Sequence, residues 1–192
     1  MTDQQLVNKV LHGDTASFSI IIKNTEALTA QIVFKMITNP EDRRDIAQDI
    51  YLKVYAKLSG FRFQSKLSTW IAQIAYNTCL NHLQKKKLIF PENKYPDKND
   101  EEFLESISIN SFHNEVENEI SKKELSNILR TEIDNLPPVQ QTLITLYHNE
   151  EFSYEEIAHI TELPEGTVKS YLFRARKALK ENLMRQYKKE EL

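Results

Sequence analysis

The fold is decided by Glu151-Phe152-Ser153-Tyr154-Glu155-Glu156-Ile157-Ala158 and, shortly after it, Leu163-Pro164-Glu165-Gly166-Thr167-Val168-Lys169-Ser170-Tyr171-Leu172-Phe173-Arg174-Ala175-Arg176. Ser153 and Glu156 have the spacing of a capping box, which predicts that a helix begins there. Pro164 suits the first turn of a second helix. That helix has one apolar stripe, which consists of Val168, Leu172, Ala175 and Leu179. Two short helices joined by a tight turn predict a helix-turn-helix, whose second helix enters the major groove of DNA.

The composition indicates an all-α protein of two small helical domains. The 192 residues include only three glycines, and apolar residues recur with helical periodicity along most of the chain. Periodicity fails over about 88–118, where Pro91, Pro96 and many Asn, Asp and Ser residues are typical of a linker. We therefore predict an N-terminal domain over 1–90, a flexible acidic linker over 91–118 and a C-terminal helix-turn-helix domain over 119–192.

Charge is segregated along the chain, although the net charge is only −3. Residues 53–90 contain seven basic residues and no acidic ones, whereas residues 91–119 contain nine acidic residues and two lysines. Residues 165–192 are basic again, with eight basic and four acidic residues. Two basic blocks separated by an acidic one indicate two nucleic-acid surfaces joined by a segment that does not bind nucleic acid.

Several function classes are disfavoured by what the sequence lacks. No apolar run reaches the roughly 18 residues of a membrane helix, and the N-terminus has no signal-peptide pattern. The single cysteine, Cys79, fits a reducing cytoplasm, where we expect the protein to reside. No Walker loop is present, and Cys79 and His82 have no further metal ligands at suitable spacing. We expect no catalytic residues, no metal, no cofactor and no small-molecule substrate.

Capping signals predict where the remaining helices begin. Asp14 offers a side-chain oxygen to free backbone N–H groups, and Pro40 suits a first helical turn. A loop is expected over 59–65, and a frayed tail over 186–192. The predicted helices outside the helix-turn-helix are, in chain order, 3–12, 14–39, 40–58, 67–87, one ending at 135, and 138–148.

Three motifs together carry a family resemblance. The first is Asp45-Ile46-Ala47-Gln48-Asp49-Ile50-Tyr51-Leu52-Lys53-Val54-Tyr55. The second follows Phe61-Arg62 and reads Leu67-Ser68-Thr69-Trp70-Ile71-Ala72-Gln73-Ile74-Ala75-Tyr76-Asn77-Thr78-Cys79-Leu80-Asn81. The third combines Leu136-Pro137 with Glu156-Ile157-Ala158, Gly166-Thr167-Val168-Lys169-Ser170 and Arg174-Ala175-Arg176. In this order they resemble an extracytoplasmic-function (ECF) sigma factor, the minimal two-domain class of bacterial transcription initiation subunits.

The resemblance implies that one helix of the N-terminal domain binds the clamp helices of the RNA polymerase β′ subunit. The residues that match the family's polymerase-binding motif are Asp45, Gln48, Asp49 and Leu52. They fall at i, i+3, i+4 and i+7, which places them on one stripe opposite most of the helix's core face. Acidic and polar groups around an exposed leucine suit a partner helix that carries arginines.

The resemblance also assigns the two promoter elements to different domains. The residues that match the −10 motif are Phe61, Arg62, Phe63, Gln64, Lys66, Tyr76, Asn77 and Asn81. The residues that match the −35 motif are Thr167, Lys169, Ser170, Phe173, Arg174 and Arg176. Stacking and phosphate contacts offset the cost of extracting a base, while arginine and lysine pair with guanine edges. This chain departs from the family pattern at two positions. It has Phe63 where many relatives have a small residue, and Tyr171 where relatives often have an arginine.

The function implied is to direct core RNA polymerase to specific promoters and to help open them. The implied partners are core RNA polymerase, promoter DNA and an anti-sigma factor that occludes the two domains. The acidic linker is expected to mimic nucleic acid in the basic channels of the polymerase, a hypothesis that rests on its charge.

Two other functions remain open. One is a conventional helix-turn-helix transcriptional regulator with an N-terminal sensing domain. The other is a helical scaffold, which leaves the acid-free block over 53–90 without a role. A regulator binds promoter duplex by itself, whereas a sigma factor binds it weakly or not at all until core polymerase is added.

Overall fold

Helices account for every regular element of the residues that the computed structural model describes, which are 1–85 and 122–190. The α-helices are α1 (Asp3–Leu11), α2 (Thr15–Met36), α3 (Pro40–Lys57), α4 (Leu67–Lys85), α5 (Lys122–Asp134), α6 (Pro138–His148), α7 (Tyr154–Thr161) and α8 (Glu165–Glu190). A 3₁₀ turn, Leu58–Gly60, follows α3. The all-α prediction and the helix-turn-helix, formed by α7 and α8, are confirmed. The predicted linker over 91–118, with Lys86 and Lys87, lies outside the described residues.

The predicted capping residues begin the helices as expected. The Asp14 carboxylate accepts hydrogen bonds from the backbone N–H groups of Ala16 and Ser17, at 3.0 and 3.3 Å. The Asn39 side chain caps α3, and Pro40 is its first residue. At the C-terminus α8 continues to Glu190, beyond the predicted start of fraying at residue 186.

The N-terminal region (residues 1–85) is organised around α2 and α4, which pack against each other. Helix α1 packs on α2, and α3 packs on both α2 and α4. The fully buried side chains at these contacts include Ile21, Ile32, Ile50 and Ile71. Burying each such side chain contributes roughly 1.5–3 kcal/mol of favourable transfer free energy. This core fixes α3 with one face inward and the opposite face toward solvent.

The C-terminal region (residues 122–190) is built by α8 against α5, α6 and α7. Its largest fully buried side chains are Leu143, Leu146, Ile157, Ile160 and Leu172. A polar contact links the first and last of these helices, since the Asn182 amide donates a hydrogen bond to the Glu132 carboxylate at 2.8 Å. The predicted apolar stripe of α8 is buried along its whole length, so this side of the helix holds the helix-turn-helix together.

The two regions are in contact in this structure, although the sequence predicts bodies that act on separate targets. Helix α2 packs against α6, and α4 packs against α7. Lys35 of α2 forms an ion pair with Asp134, the last residue of α5. The contact covers part of the surface that the resemblance assigns to DNA. None of the described helices is long and apolar enough to cross a membrane.

Candidate polymerase and promoter interfaces

The predicted polymerase-binding residues form one outward stripe on α3. Ile46, Ile50 and Val54 face the core, so the opposite side of the helix is left to solvent. Leu52 is 64% exposed, so this outward side of the helix includes an apolar side chain among its charged and polar ones. We call Asp45, Gln48, Asp49 and Leu52 the α3 stripe. The structure thus brings all four predicted residues together on an accessible surface.

Charge and aromatic groups extend the α3 stripe. The Lys53 ammonium group lies 2.7 Å from the Asp49 carboxylate, one helical turn away. Tyr55 is exposed and stacks edge-on against Phe18 of α2, with ring centroids 5.0 Å apart. The surface therefore combines an exposed leucine, an exposed aromatic ring and net negative groups. Such a mixture fits the centre of a protein–protein interface.

An aromatic ladder organises the loop between α3 and α4. Phe61 is buried and lies between Trp70 and Phe63, with centroid distances of 5.1 and 4.8 Å. Phe63 is 42% exposed and has a φ of 56°, in the left-handed region that favours glycine. Contacts with Phe61 hold this ring at the rim of the loop. The exposed face of Phe63 is available to stack on an unpaired base.

The predicted −10 residues fall into an exposed group and a covered group. Arg62, Gln64 and Lys66 in the loop are exposed, as is Asn81 near the end of α4. Asn77 is half-buried, and Tyr76 is only 3% exposed. Burial, and then the neighbouring Tyr171 hydroxyl of α8, raise the pKa of Tyr76 to about 12. In this conformation Tyr76 is therefore covered and does not reach solvent.

The helix-turn-helix is held by the predicted capping box. The Ser153 N–H donates to the Glu156 carboxylate at 2.9 Å, and the Glu156 N–H donates to the Ser153 hydroxyl at 3.1 Å. The Ser153 N–H bond, followed by the nearby Lys66, keeps the pKa of Glu156 below its usual value. Glu162 then ends α7 with φ 58° and ψ 25°, a left-handed conformation usually supplied by glycine.

The six predicted −35 residues are not equally accessible on α8. Lys169 is exposed, and Phe173, Arg174 and Arg176 are half-buried. Thr167 and Ser170 are buried, at 8% and 5% exposure, so neither reaches a ligand in this conformation. Thr167 lies one turn before Tyr171 on the same side of the helix, and Tyr171 is the residue beside Tyr76. That flank of α8 is therefore turned toward the N-terminal region.

A tyrosine pair supports the cationic side chains of α8. Tyr147 and Tyr154 stack with their centroids 4.9 Å apart. The Arg176 guanidinium lies 4.9 Å from the Tyr147 ring centroid, and the Lys169 ammonium lies 5.6 Å from that of Tyr154. Arg176 also donates from Nε to His148 Nε2 at 3.4 Å. Burial, and then Arg176, lower the pKa of His148, which keeps that ring neutral and able to accept. The Arg176 side chain thus contacts His148 and Tyr147 of the same C-terminal region.

Two residues of the contact between the regions, Glu162 and Gln73, were not predicted from the sequence. Glu162 of the turn accepts hydrogen bonds from the side-chain amides of Gln73 and Asn77, at 3.1 and 2.9 Å. Its position, just before Leu163-Pro164, marks the turn of the helix-turn-helix. The sequence offers no signal that a turn residue in one region meets α4 in the other, because periodicity assigns faces only within one region.

Cys79 and His82 lie in different surroundings. Cys79 is completely buried in α4, and burial raises the pKa of its thiol to about 12. His82 instead faces Asp42 of α3, with Nε2 3.5 Å from the carboxylate. Within residues 1–85 and 122–190 no group of three or more His, Cys, Asp or Glu side chains is arranged to hold a metal ion.

Family models match both regions in the predicted order. Residues 21–89 match sigma-70 region 2, and residues 126–179 match sigma-70 region 4. The chain is 32% identical over 177 residues to the RNA polymerase sigma-H factor of Pseudomonas aeruginosa, covering 92% of this chain and 91% of that protein. It is 34% identical over 179 residues to the ECF RNA polymerase sigma-E factor of Escherichia coli K12, covering 93% of each. This chain belongs to the ECF sigma factor family.

Solved structures share the fold of this sigma factor. CnrH, determined in complex with the cytosolic domain of CnrY, matches with a TM-score of 0.62 at 16% identity, covering 94% of this chain and 96% of CnrH. RpoE of Bartonella quintana, determined with the anti-sigma factor NepR, matches with a TM-score of 0.58 at 22% identity, covering 87% and 96%. Because the N-terminal half of this sigma factor matches sigma-70 region 2, the alternative of a sensing domain there is not supported.

Proposed function

We propose that this sigma factor directs core RNA polymerase to specific promoters and helps to open them. The observation that carries the proposal is the presence of both sigma-70 regions in one chain, the first with an exposed α3 stripe and the second with a helix-turn-helix. The chain supplies binding and base recognition, and the polymerase performs the chemistry. We place its action in the cytoplasm, where polymerase and promoter DNA are found.

The α3 stripe is proposed to bind the clamp helices of the polymerase β′ subunit. Leu52 is already exposed, so docking removes apolar surface from water without unfolding any part of the sigma factor. Asp45 and Asp49 flank it and suit basic groups on the partner, which fix the register of the two helices. This contact requires no movement of the C-terminal region.

The loop after α3 and the exposed side of α4 are proposed to capture the −10 element. Extracting a base from the duplex costs a few kcal/mol, which stacking and phosphate contacts can offset. Phe63 supplies an exposed ring, and Arg62 and Lys66 supply positive charge in the same loop. Phe61 is buried, so its proposed role is to hold Phe63 and not to touch the base itself.

Helix α8 is proposed to read the −35 element. Lys169 and Arg174 are suited to guanine edges or phosphates, and Phe173 to a thymine methyl group. Arg176, which is bound to His148 and stacked on Tyr147, supports the helix-turn-helix in this conformation. Thr167 and Ser170 join the DNA surface only when the flank that carries them is uncovered.

An anti-sigma factor is proposed as the third partner. Two proteins that share this fold were solved with such regulators or with a cytosolic domain of a second protein. The α3 stripe and the exposed loop residues give a regulator two surfaces to cover. Co-purification of a tagged copy of this sigma factor from its own cells, followed by mass spectrometry, identifies the partner.

The decisive experiment is transcription in a purified system. Core RNA polymerase from the same bacterium, a fragmented library of its genomic DNA and this sigma factor are combined, and the 5′ ends of the transcripts are sequenced. We expect transcripts that begin at a limited set of sites sharing two upstream elements, and only when the sigma factor is present. Transcripts that are identical with and without it contradict the proposal.

A mobility-shift assay separates this function from that of a conventional regulator. The duplexes identified by transcription are incubated with the sigma factor alone and with the reconstituted holoenzyme. We expect a stable complex only with the holoenzyme. Tight, sequence-specific binding by the isolated chain supports the regulator instead.

A further inference from the structure

The first turn of α4 takes a hydrogen-bond acceptor from another helix. The residue just before α4 is Lys66, whose ammonium group donates hydrogen bonds and accepts none. The first N–H groups of a helix have no partner within it, and a side-chain oxygen usually caps them. Here the Asp3 carboxylate, at the start of α1, accepts a hydrogen bond from the Leu67 N–H at 3.0 Å. Asp3 therefore caps α4 from 64 residues away in the sequence.

The capped end of α4 is also the end that carries the −10 loop, residues 61–66. The Trp70 N–H donates to the Lys66 carbonyl at 3.2 Å, so the start of the helix sets the position of the Trp70 ring. That ring packs against Phe61, which in turn holds Phe63. Asp3 is thus connected, through one turn of helix and the packed rings, to the exposed face of Phe63.

Helix α1 contacts the chain on both sides of the −10 loop. It packs on the 3₁₀ turn Leu58–Gly60, which comes just before the loop, and Asp3 bonds to Leu67, which comes just after it. The helix is itself well anchored, because it packs on α2 and begins with a capping box of Thr2 and Gln5. Its buried apolar side chains are Leu6, Val7 and Val10. Helix α1 also lies outside residues 21–89, which match sigma-70 region 2.

We propose that Asp3 is a positioning residue for the −10 loop: from α1 it fixes where α4 begins and thereby holds Phe63 in place to stack on an unpaired base. This inference rests on the proposed function, because it takes the −10 assignment of the loop from it. A loop that is already held in its binding conformation does not pay the cost of ordering when DNA binds. Asp3 carries a negative charge that repels phosphate, so its role is to hold the loop and not to contact DNA.

Two substitutions of Asp3 and one matched control test the proposal. Asp3→Ala removes the acceptor, whereas Asp3→Asn removes the charge but keeps a side-chain oxygen for the Leu67 N–H. Asp14→Ala is the control, because the Asp14 carboxylate also accepts backbone N–H groups at the start of a helix. It caps α2, beyond the opposite end of α1. Asp14→Ala and Asp3→Ala therefore both lose a helix cap and one negative charge, but only Asp3→Ala loses them beside the loop.

The first measurement uses the fluorescence of Trp70, the only tryptophan among the 192 residues. Emission spectra and quenching by acrylamide are recorded on the full chain without polymerase. For Asp3→Ala we expect emission at longer wavelength and stronger quenching, because the ring is no longer held against Phe61. Asp3→Asn and Asp14→Ala should give the emission and quenching of the wild type.

The second measurement is the binding of single-stranded DNA by the holoenzyme. Fluorescein-labelled oligonucleotides carry the non-template strand upstream of the start sites that the transcription experiment maps, and fluorescence anisotropy gives their affinity. We expect Asp3→Ala holoenzyme to bind roughly three- to tenfold more weakly than the wild type, the range expected for one lost helix cap. Asp3→Asn should restore most of the affinity, and Asp14→Ala should bind as the wild type does. Affinity for core polymerase should be equal in all four proteins.

The proposal requires both changes in Asp3→Ala, so the absence of either one overturns it. Equal weakening in Asp14→Ala would trace the loss to general stability, and equal weakening in Asp3→Asn would trace it to charge; each result also overturns the proposal. Failure of the proposed function is distinguishable. It appears as absent promoter-directed transcription by the wild-type holoenzyme, while the emission of Trp70 in the free chain still reports whether Asp3 holds the packed rings.

Discussion

The α3 stripe and the −10 surface of α4 belong to the same small region but are presented in opposite ways. Leu52 is 64% exposed, whereas Tyr76, on the neighbouring helix, is 3% exposed. On the proposed assignments, polymerase can dock on the α3 stripe as it stands, whereas contact of DNA with Tyr76 requires a rearrangement that exposes it. Binding of polymerase that favours the rearranged form would then shift the population toward it.

The difference has a cause in the two helical sequences. Helix α3 buries only Ile46, Ile50 and Val54, and its other face is charged. Helix α4 buries ten of its residues, including Tyr76 and Cys79, and so has almost no face that is polar throughout. A helix that is apolar on most sides is normally covered on most sides. In this sigma factor α2 and α3 cover part of α4, and α7 covers another part.

Substitution of Leu52 is expected to give the largest effect on polymerase binding. Leu52→Glu should cost about 2–4 kcal/mol of the free energy of binding to core polymerase, since it places a charge at the centre of the proposed interface. Its melting temperature should not change, because Leu52 is exposed. Binding is measured by fluorescence anisotropy of a labelled sigma factor titrated with core polymerase.

Leu11 provides the matched control for this variant. It is also an exposed leucine on a helix, at 49%, but it lies on α1 outside the α3 stripe. Leu11→Glu should bind core polymerase as the wild type does. Equal losses in the two variants would mean that α3 is not the docking surface.

Arg174 of α8 is expected to give the next largest effect. Arg174→Ala should cost about 1–3 kcal/mol at promoters with the matching −35 element and little at promoters without it. Lys177→Ala, on an exposed position of the same helix, should weaken binding to all promoters alike. Holoenzyme binding to matched and mismatched duplexes measures the ratio. An unchanged ratio for Arg174→Ala would argue against α8 as the reader of this element.

The capping box of α7 gives a smaller, local effect. Ser153→Ala removes the hydroxyl that accepts the Glu156 N–H and should lower the free energy of unfolding by about 1 kcal/mol. Chemical denaturation followed by circular dichroism measures it. Ser153→Thr keeps the hydroxyl and should retain most of that stability. If both substitutions are equally harmful, packing at Ser153, and not the cap, accounts for the loss.

The smallest expected effect is a pH dependence at Glu156. Its pKa is below the usual value of 4.5 in the folded chain, so the carboxylate stabilises the fold above pH 4.5. That stability is lost as the pH falls below 4.5 and through the folded pKa. Glu156→Gln keeps a side-chain acceptor for the capping box but has no charge, so its stability should vary less in this window. Thermal melts between pH 3 and 6 compare the two proteins. Parallel curves would assign the pH dependence to other carboxylates.

Most of the fold could be predicted from local chemistry. Asp14, Pro40 and Ser153 begin the helices because each satisfies or avoids free backbone N–H groups, which is decided within a few residues. The helical period also predicts which face of α3 is buried, whereas the choice of the four residues of the α3 stripe came from the family resemblance. The length of α8 was underestimated, because the polar tail carries no apolar stripe to extend the pattern.

The accessibility of the DNA surfaces could not be predicted in this way. Thr167, Ser170 and Tyr76 are polar enough to be assigned to solvent or DNA, but all three are buried in the folded chain, and Tyr76 lies near Tyr171 of the other region. Nothing near Glu162 in the chain indicates that its carboxylate meets Gln73 and Asn77. Such contacts depend on how two finished surfaces fit together, and periodicity describes only one surface at a time.

The burial of Cys79 makes conformational labelling of this protein simple. With a thiol pKa near 12, the side chain forms almost no thiolate at neutral pH and therefore reacts slowly with maleimide reagents. A dye or spin label can be attached to a cysteine introduced at an exposed position while the native cysteine is retained. Pairs of such probes on α3 and α8 would follow the separation of the two regions in real time during assembly of the holoenzyme.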